Sequence, residues 1–190
     1  MNLVNIPCNI CNTSKEILIR KVKYDGKYFN LVKCNNCGLI YFNPRFSEEH
    51  LNKIYESDSL NYVDYHKKTF KDDVKTFNYR LDLINKYLSN KNSVLDIGSS
   101  TGTFLYLCRE RGFKEVIGLE INKRASEFCQ KEYSIKVFKE IPKTEKFDFV
   151  NLSDVIEHST DPNGLLIKVN SVLNKDGIIL IATPDYNKFI

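Results

Sequence analysis

Nine residues, Val94-Leu95-Asp96-Ile97-Gly98-Ser99-Ser100-Thr101-Gly102, constrain this chain more than any other stretch. An apolar strand runs into a tight turn, and the turn opens a helix. Gly98 lets the chain leave the strand sharply and approach a ligand with no Cβ in the way. Gly102 permits close packing where the helix begins. The amides at that helix start, at the positive end of its dipole, suit an anionic group. The spacing is Gly-x-x-x-Gly rather than the Gly-x-Gly-x-x-Gly of pyrophosphate sites, so a carboxylate fits better than a diphosphate. Asp96, at the strand end, is placed to hold an ammonium group beside it. A ligand with an amino-acid end and a nucleoside end satisfies both. Glu120 supplies the nucleoside contact: it closes the next strand, 22 residues after Gly98, where a carboxylate can accept both ribose hydroxyls. Glu140, after the third strand, is a further candidate for the adenine edge.

The surrounding pattern alternates strand and helix. Strands are predicted at 94–97, 116–119, 135–138, 147–152 and 178–182. Helices are predicted at 103–111, closed by Gly112, at 125–133 and at 162–173. Near-continuous apolar strands in a β-α-β rhythm predict an α/β fold with a doubly wound, mostly parallel sheet. Upstream, Ser47 reads as the N-cap of a short helix. A longer helix is expected over roughly 66–88, with Phe70, Val74, Phe77, Leu81, Ile84 and Leu88 as one buried stripe.

The N-terminal segment carries a second signal. Cys8-x-x-Cys11 and Cys34-x-x-Cys37 are two knuckles separated by 22 residues. Four cysteines so paired give a closed tetrahedral site with no open position, hence a structural Zn2+. Short strands at 17–20, 28–33 and 39–42, with Asp25-Gly26 as a hairpin turn, complete a zinc-ribbon-like module. Its core is so small that the metal must supply much of the folding energy. The expected organisation is a zinc module at 1–45, a helical linker or cap at 46–90, and a cofactor-binding domain at 91–190. Cys108 and Cys129 fall in predicted amphipathic helices and read as small buried apolar residues.

Composition limits the alternatives. The formal net charge is +4, and much of the excess lies among Lys15, Arg20, Lys21, Lys23, Lys27 and Lys33. Zinc with four thiolates is a local −2 that offsets part of it. The balance does not ask for nucleic acid. The longest apolar run near the end, 178–182, is too short to span a membrane. Six cysteines without a secretory pattern at the N-terminus point to a reducing, cytoplasmic setting.

The three motifs in order resemble the class I S-adenosylmethionine-dependent methyltransferases. Residues 94–102 are similar to that family's first motif and Gly-Leu-Glu-Ile-Asn (118–122) to its acidic ribose motif. Phe147-Asp148-Phe149-Val150, then Asp154-Val155-Ile156-Glu157-His158 and Asp161-Pro162, are similar to its fourth. The resemblance implies S-adenosylmethionine as cofactor, held by Asp96, Gly98, Ser99, Gly102, Glu120, Ile121 and Ser153. Cys34 to Arg45 also resembles a zinc module that precedes some bacterial methyltransferases. Members of that group are associated with nucleotide-linked sugars, which implies such a small-molecule acceptor.

In an open sheet of this kind, ligands sit beyond the strand C-termini where strand order reverses. The acceptor would face 151–158 and Thr183-Pro184-Asp185. His158 is the candidate base, since its pKa range is near neutral, and Glu157 the candidate partner that orients it or binds a substrate hydroxyl. The alternative for both is an ordinary loop start. Tyr62 and Tyr65 are candidates for the pocket wall or for plain packing. The resemblance also implies two further strands after the fifth, whereas this sequence ends at Ile190. Strand five would then present an open edge, which suggests a shortened chain, a homodimer that completes the sheet, or a protein that binds cofactor without turnover. An RNA methyltransferase using the zinc module to hold nucleic acid is the other enzyme reading.

Overall fold

The computed structural model describes residues 3–57 and 61–185, except for the Tyr62 side chain. They fall into two units, those within 1–54 and 160–163 and those within 55–159 and 164–190. The first unit is mostly β: β1 (Leu3–Val4), β2 (Glu16–Tyr24), β3 (Lys27–Cys34), β4 (Ile40–Phe42) and β5 (Arg45–Phe46), followed by the start of α1 (Glu48–Glu56). β2, β3 and β4 form an antiparallel sheet in that order, and β1 pairs with β5. The three larger strands are those the sequence predicts; the β1–β5 pair is an addition. Asp25 and Gly26 both have positive φ, 47° and 73°, the backbone that a two-residue hairpin turn requires. Phe29, Leu31 and Val32 of β3 are buried, and the Phe29 and Phe46 rings meet edge to face at 4.9 Å. Ser47 caps α1 as expected, its Oγ accepting from the His50 amide at 3.3 Å.

The second unit continues with α2 (Tyr62–Ile84), β6 (Ser93–Ile97), α3 (Thr103–Glu110), β7 (Glu115–Leu119), α4 (Lys123–Tyr133), β8 (Lys136–Phe138) and β9 (Phe147–Ser153). A single 3-10 turn (Ile156–His158), α5 (Pro162–Val172) and β10 (Leu173–Ala182) follow. The five strands lie in the order β10-β9-β6-β7-β8, and every pairing is parallel. Both faces are covered. Val94 and Phe149 face one core, with Leu81 and Ile84 of α2, Phe104 and Cys108 of α3 and Cys129 of α4. Their neighbours Leu95 and Val150 face the other, with Val169 and Val172 of α5. Adjacent residues therefore enter opposite cores, which is why these strands read as near-continuous apolar runs.

α2 begins and ends about one turn earlier than its stripe suggests. Val74, Phe77, Leu81, Ile84 and Leu88 do pack on the core, but Phe70 is 39% exposed and is corrected from the buried set. Apolar periodicity marks a face; it does not mark where along the helix that face loses its partner. Gly112 ends α3 at φ 92°. Gly112 N donates to Arg109 O and Phe113 N to Cys108 O, the paired bonds of a Schellman cap. β10 is longer than predicted, but its continuous ladder with β9 is the expected stretch, Ile178 to Ala182. Among the described residues β10 is an edge strand. No described helix is long and apolar enough to cross a membrane.

Candidate active site and metal centre

Strand order reverses at β6, whose neighbours are β7 and β9. The crossover places the C-terminal ends of β6, β7 and β9 side by side, and the predicted cofactor residues gather there. Asp96 is 3% exposed. Its Oδ1 accepts from Asn151 Nδ2 of β9 at 2.7 Å, and Asn151 Oδ1 accepts from Ser153 Oγ at 2.7 Å. Ser153 thus reaches Asp96 through Asn151, a residue the sequence reading did not single out. Its signal was a polar side chain inside an apolar strand. Burial pushes the Asp96 carboxyl up to about 7, with the Glu120 charge adding and the Asn151 hydrogen bond and Arg80 opposing.

The loop after β6 is pinned by β7. Gly98 N and Ser99 N both donate to Leu119 O, at 2.8 and 3.0 Å. Gly98 has φ 73°, and a Cβ there would lie 2.7 Å from Val155 Cγ2, so its missing side chain admits the loop after β9. Gly102 has φ 83°, and a Cβ would lie 2.2 Å from Cys129 Sγ. The close helix packing expected of Gly102 is therefore contact with α4. Cys129 and Cys108 are fully buried, and burial pushes the Cys129 thiol up to about 12, consistent with apolar packing. The Ser99 hydroxyl fills the space above Gly118, so its side chain points into the sheet.

Glu120 stands at the end of β7, half-buried. Its Oε2 accepts from Ser100 N at 2.9 Å and its Oε1 from Asn122 N at 2.7 Å. Burial raises its pKa against those bonds, which act to lower it. Ile121, between Glu120 and Asn122, is also half-buried. Ser100 Oγ is buried without a hydrogen-bond partner, beside that carboxylate. Gly102 offers no side-chain cap to α3, so the first-turn amides are left for another acceptor. Carboxylates at Asp96 and Glu120, uncapped amides and an orphan hydroxyl suit a ligand with an amino-acid end and a ribose.

His158 and Glu157 are exposed on the turn after β9. The Tyr55 ring lies edge-on to His158, centroids 6.0 Å apart. Burial, followed by the Glu157 charge, raises the Tyr55 phenol. Tyr55 is a neighbour of this pair that sequence reasoning missed. Tyr65 is 59% exposed and stacks edge-on with His66; Tyr62 has its side chain outside the described residues. Glu140 is exposed.

In the first unit the four cysteines converge. Their sulfurs all lie within 4.8 Å of one another; Cys8–Cys37 and Cys11–Cys34 are 3.4 Å apart. Tetrahedral zinc at about 2.3 Å from each sulfur needs about 3.8 Å between sulfurs, so the donor set fits that ion. The knuckles are built alike. Cys8 N donates to Thr13 O and Asn12 N to Cys8 O; Cys34 N donates to Leu39 O and Gly38 N to Cys34 O. Asn12 (φ 56°) is the counterpart of Gly38 (φ 80°), asparagine being among the few residues that tolerate this conformation. Hydrogen bonds from Asn36 and Thr13 hold the Cys11 thiol down at about 6, while, against a backbone bond at Leu39, burial and the three neighbouring sulfurs push the Cys37 thiol up to about 12; the metal-free cluster shares its protons unevenly.

Known proteins share this architecture. The chain is 33% identical over 93 residues to protein arginine N-methyltransferase 8-B of Danio rerio, covering 48% of this chain and 21% of that protein. The sugar N-methyltransferase KedS8 from Streptoalloteichus sp ATCC 53650 superposes with TM-score 0.57 at 18% identity, over 67% of this chain and 56% of that one. The plantazolicin methyltransferase BpumL, in complex with a desmethyl analogue and SAH, gives 0.54 at 14%, over 70% and 59%. This chain therefore spans about a fifth of that curated relative and less than two thirds of both solved chains. A family model described as a methyltransferase domain matches residues 45–188, and the chain, with this strand order and the Asp96–Gly102 loop, belongs to that methyltransferase domain family.

Proposed function

We propose that this chain is an S-adenosylmethionine-dependent methyltransferase acting on a small-molecule acceptor, with a nucleotide-linked sugar as the acceptor class. The observation that carries the cofactor is the convergence of Asp96, the uncapped start of α3 and Glu120 at the reversal of strand order. Asp96 would hold the ammonium of the amino-acid end, the α3 amides its carboxylate, and Glu120 the ribose hydroxyls. Gly98, Ser99 and Gly102 shape that loop, Ile121 flanks the nucleoside, and Ser153 steadies Asp96 through Asn151. The bound cofactor supplies an electrophilic methyl group on sulfur. His158 accepts the proton of the acceptor nucleophile, and Glu157 orients it or binds a substrate hydroxyl; their place after β9 and the Tyr55 contact support that reading. The sugar acceptor draws on the likeness to the sugar N-methyltransferase KedS8 and on the Cys34–Arg45 segment. Cys8, Cys11, Cys34 and Cys37 would hold one structural zinc, whose role is to fold the first unit.

Calorimetric titration with S-adenosylmethionine and with S-adenosylhomocysteine tests the core of this. Micromolar or tighter binding that is weakened at least tenfold by Glu120→Ala is expected. Unchanged affinity in both Glu120→Ala and Asp96→Ala would mean that the site lies elsewhere.

A further inference from the structure

Asn122 is 2% exposed, and both groups of its side-chain amide are fully engaged. Its Oδ1 accepts from Ala125 N at 3.0 Å, which caps α4. Its Nδ2 donates to two main-chain carbonyls, Tyr55 O at 3.2 Å and Ser57 O at 3.0 Å. Its own backbone N–H donates to Glu120 Oε1 at 2.7 Å. Capping α4 needs only an oxygen, and Ser, Thr or Asp would supply one as well. The two N–H groups that reach 65 and 67 residues back along the chain are what asparagine adds. Arg124 of α4 holds the start of α2, donating to Asn61 Oδ1 at 3.0 Å and to Asp64 Oδ2 at 3.3 Å. Tyr55, whose carbonyl Asn122 holds, is also the residue whose ring stands against His158.

We infer that Asn122 is a positioning residue: its amide latches the Tyr55–Ser57 backbone to the strand end that carries Glu120, and so sets Tyr55 against His158. One buried side chain then links the group at the nucleoside end to the group at the acceptor end. The inference rests on the cofactor reading only for its consequence in binding. Because Asn122 N–H and the ribose hydroxyls would converge on one carboxylate, releasing the latch also frees the backbone that orients Glu120. Loss of two neutral hydrogen bonds shifts such a latch by about tenfold or more.

The chain contains no tryptophan, so Tyr55→Trp creates a single fluorescent reporter, read at about pH 5.5, where an ordinary histidine is mostly protonated and an imidazolium beside an indole quenches its emission. Asn122→Ser in that background keeps the α4 cap and removes the two donors. Asn122→Asp, of the same shape and also able to cap, is the second variant should the first fold poorly, with circular dichroism as the check on folding. The expected result is brighter emission at unchanged helix content, with affinity for S-adenosylhomocysteine weakened about tenfold. Emission unchanged in a folded variant means that Asn122 only caps α4 and overturns the inference; brighter emission with unchanged affinity upholds the latch and overturns its link to the nucleoside end. If the unsubstituted protein does not bind S-adenosylhomocysteine at all, the cofactor reading fails; the emission comparison still decides whether the latch exists.

Discussion

Asp96 sits in the native state at a cost. Its carboxyl ionises at about 7, against an ordinary 3.8, chiefly because it is buried. Below about pH 4 the folded and unfolded forms are both protonated, and Asp96 does not affect stability. As pH rises from there to about 7, the unfolded chain has released a proton that the folded chain still holds. Stability therefore falls through that window and stays reduced above it. Asp96→Asn keeps an oxygen for the Asn151 amide and carries no charge. It should stabilise the second unit by a few kcal/mol at about pH 8, with the gain shrinking toward about pH 4. Paired urea titrations of the two proteins across that range measure it; a gain independent of pH would show that burial of the charge is not the cause. Cofactor binding should move the opposite way. An ammonium partner requires the ionised carboxylate, so affinity for S-adenosylhomocysteine should drop about tenfold per unit below pH 7, and Asp96→Asn should be weak and insensitive to pH. If Asp96 holds an ammonium group as proposed, the penalty is an exchange of stability for function.

Among the elements, the α3–α4 contact shows what local sequence does and does not disclose. Gly102 was legible as a close approach, because a glycine at a helix start after a strand has few other uses. Its partner was not: Cys129 lies 27 residues on, and helix periodicity gives its face but not its neighbour. Gly102→Ala would place a methyl 2.2 Å from Cys129 Sγ at a positive φ. A loss of about 1–3 kcal/mol or more is expected from overpacking and backbone strain together. Adding Cys129→Ala should recover the steric part only, so the double-mutant cycle must show positive coupling. Strictly additive losses would place the strain elsewhere. The strands were readable for a different reason. Burial on both faces left β6 and β9 with little but apolar residues, so the exceptions stand out once the strand is drawn. Asp96 and Asn151 are two of those exceptions, both buried, and they are bonded to each other. Asn122 has no such signal, since an asparagine before a helix announces a cap and nothing about a latch to Tyr55 and Ser57.

At the scale of the molecule, the boundary of the first unit is not a boundary in sequence. The unit takes in residues 160–163, where Asn9 Nδ2 donates to Thr160 O at 3.3 Å and Asn163 Nδ2 donates to Asn9 O. Asn9 lies between Cys8 and Cys11 in the first knuckle. Asp161-Pro162-Asn163-Gly164 marks a turn here but not its partner, so composition alone cannot disclose the return; only the folded knuckle brings the partners together. It makes the effect of metal removal specific. If zinc holds the knuckles, Cys34→Ser should abolish the bound equivalent of metal and release most of the hydrogen-exchange protection of β2, β3 and β4, since so small a core has little else to fold it. The first knuckle loses its form at the same time, so the backbone at 160–163 should lose protection with it, although it lies more than a hundred residues downstream. The core strands β6, β7 and β9 bury their own apolar faces and should keep theirs, and affinity for S-adenosylhomocysteine should be unchanged. Exchange measured by mass spectrometry on zinc-loaded and Cys34→Ser protein separates the cases. Protection lost throughout 55–159 would mean that the two units fold as one, and protection retained at 160–163 would mean that the Asn9 contacts do not need the metal.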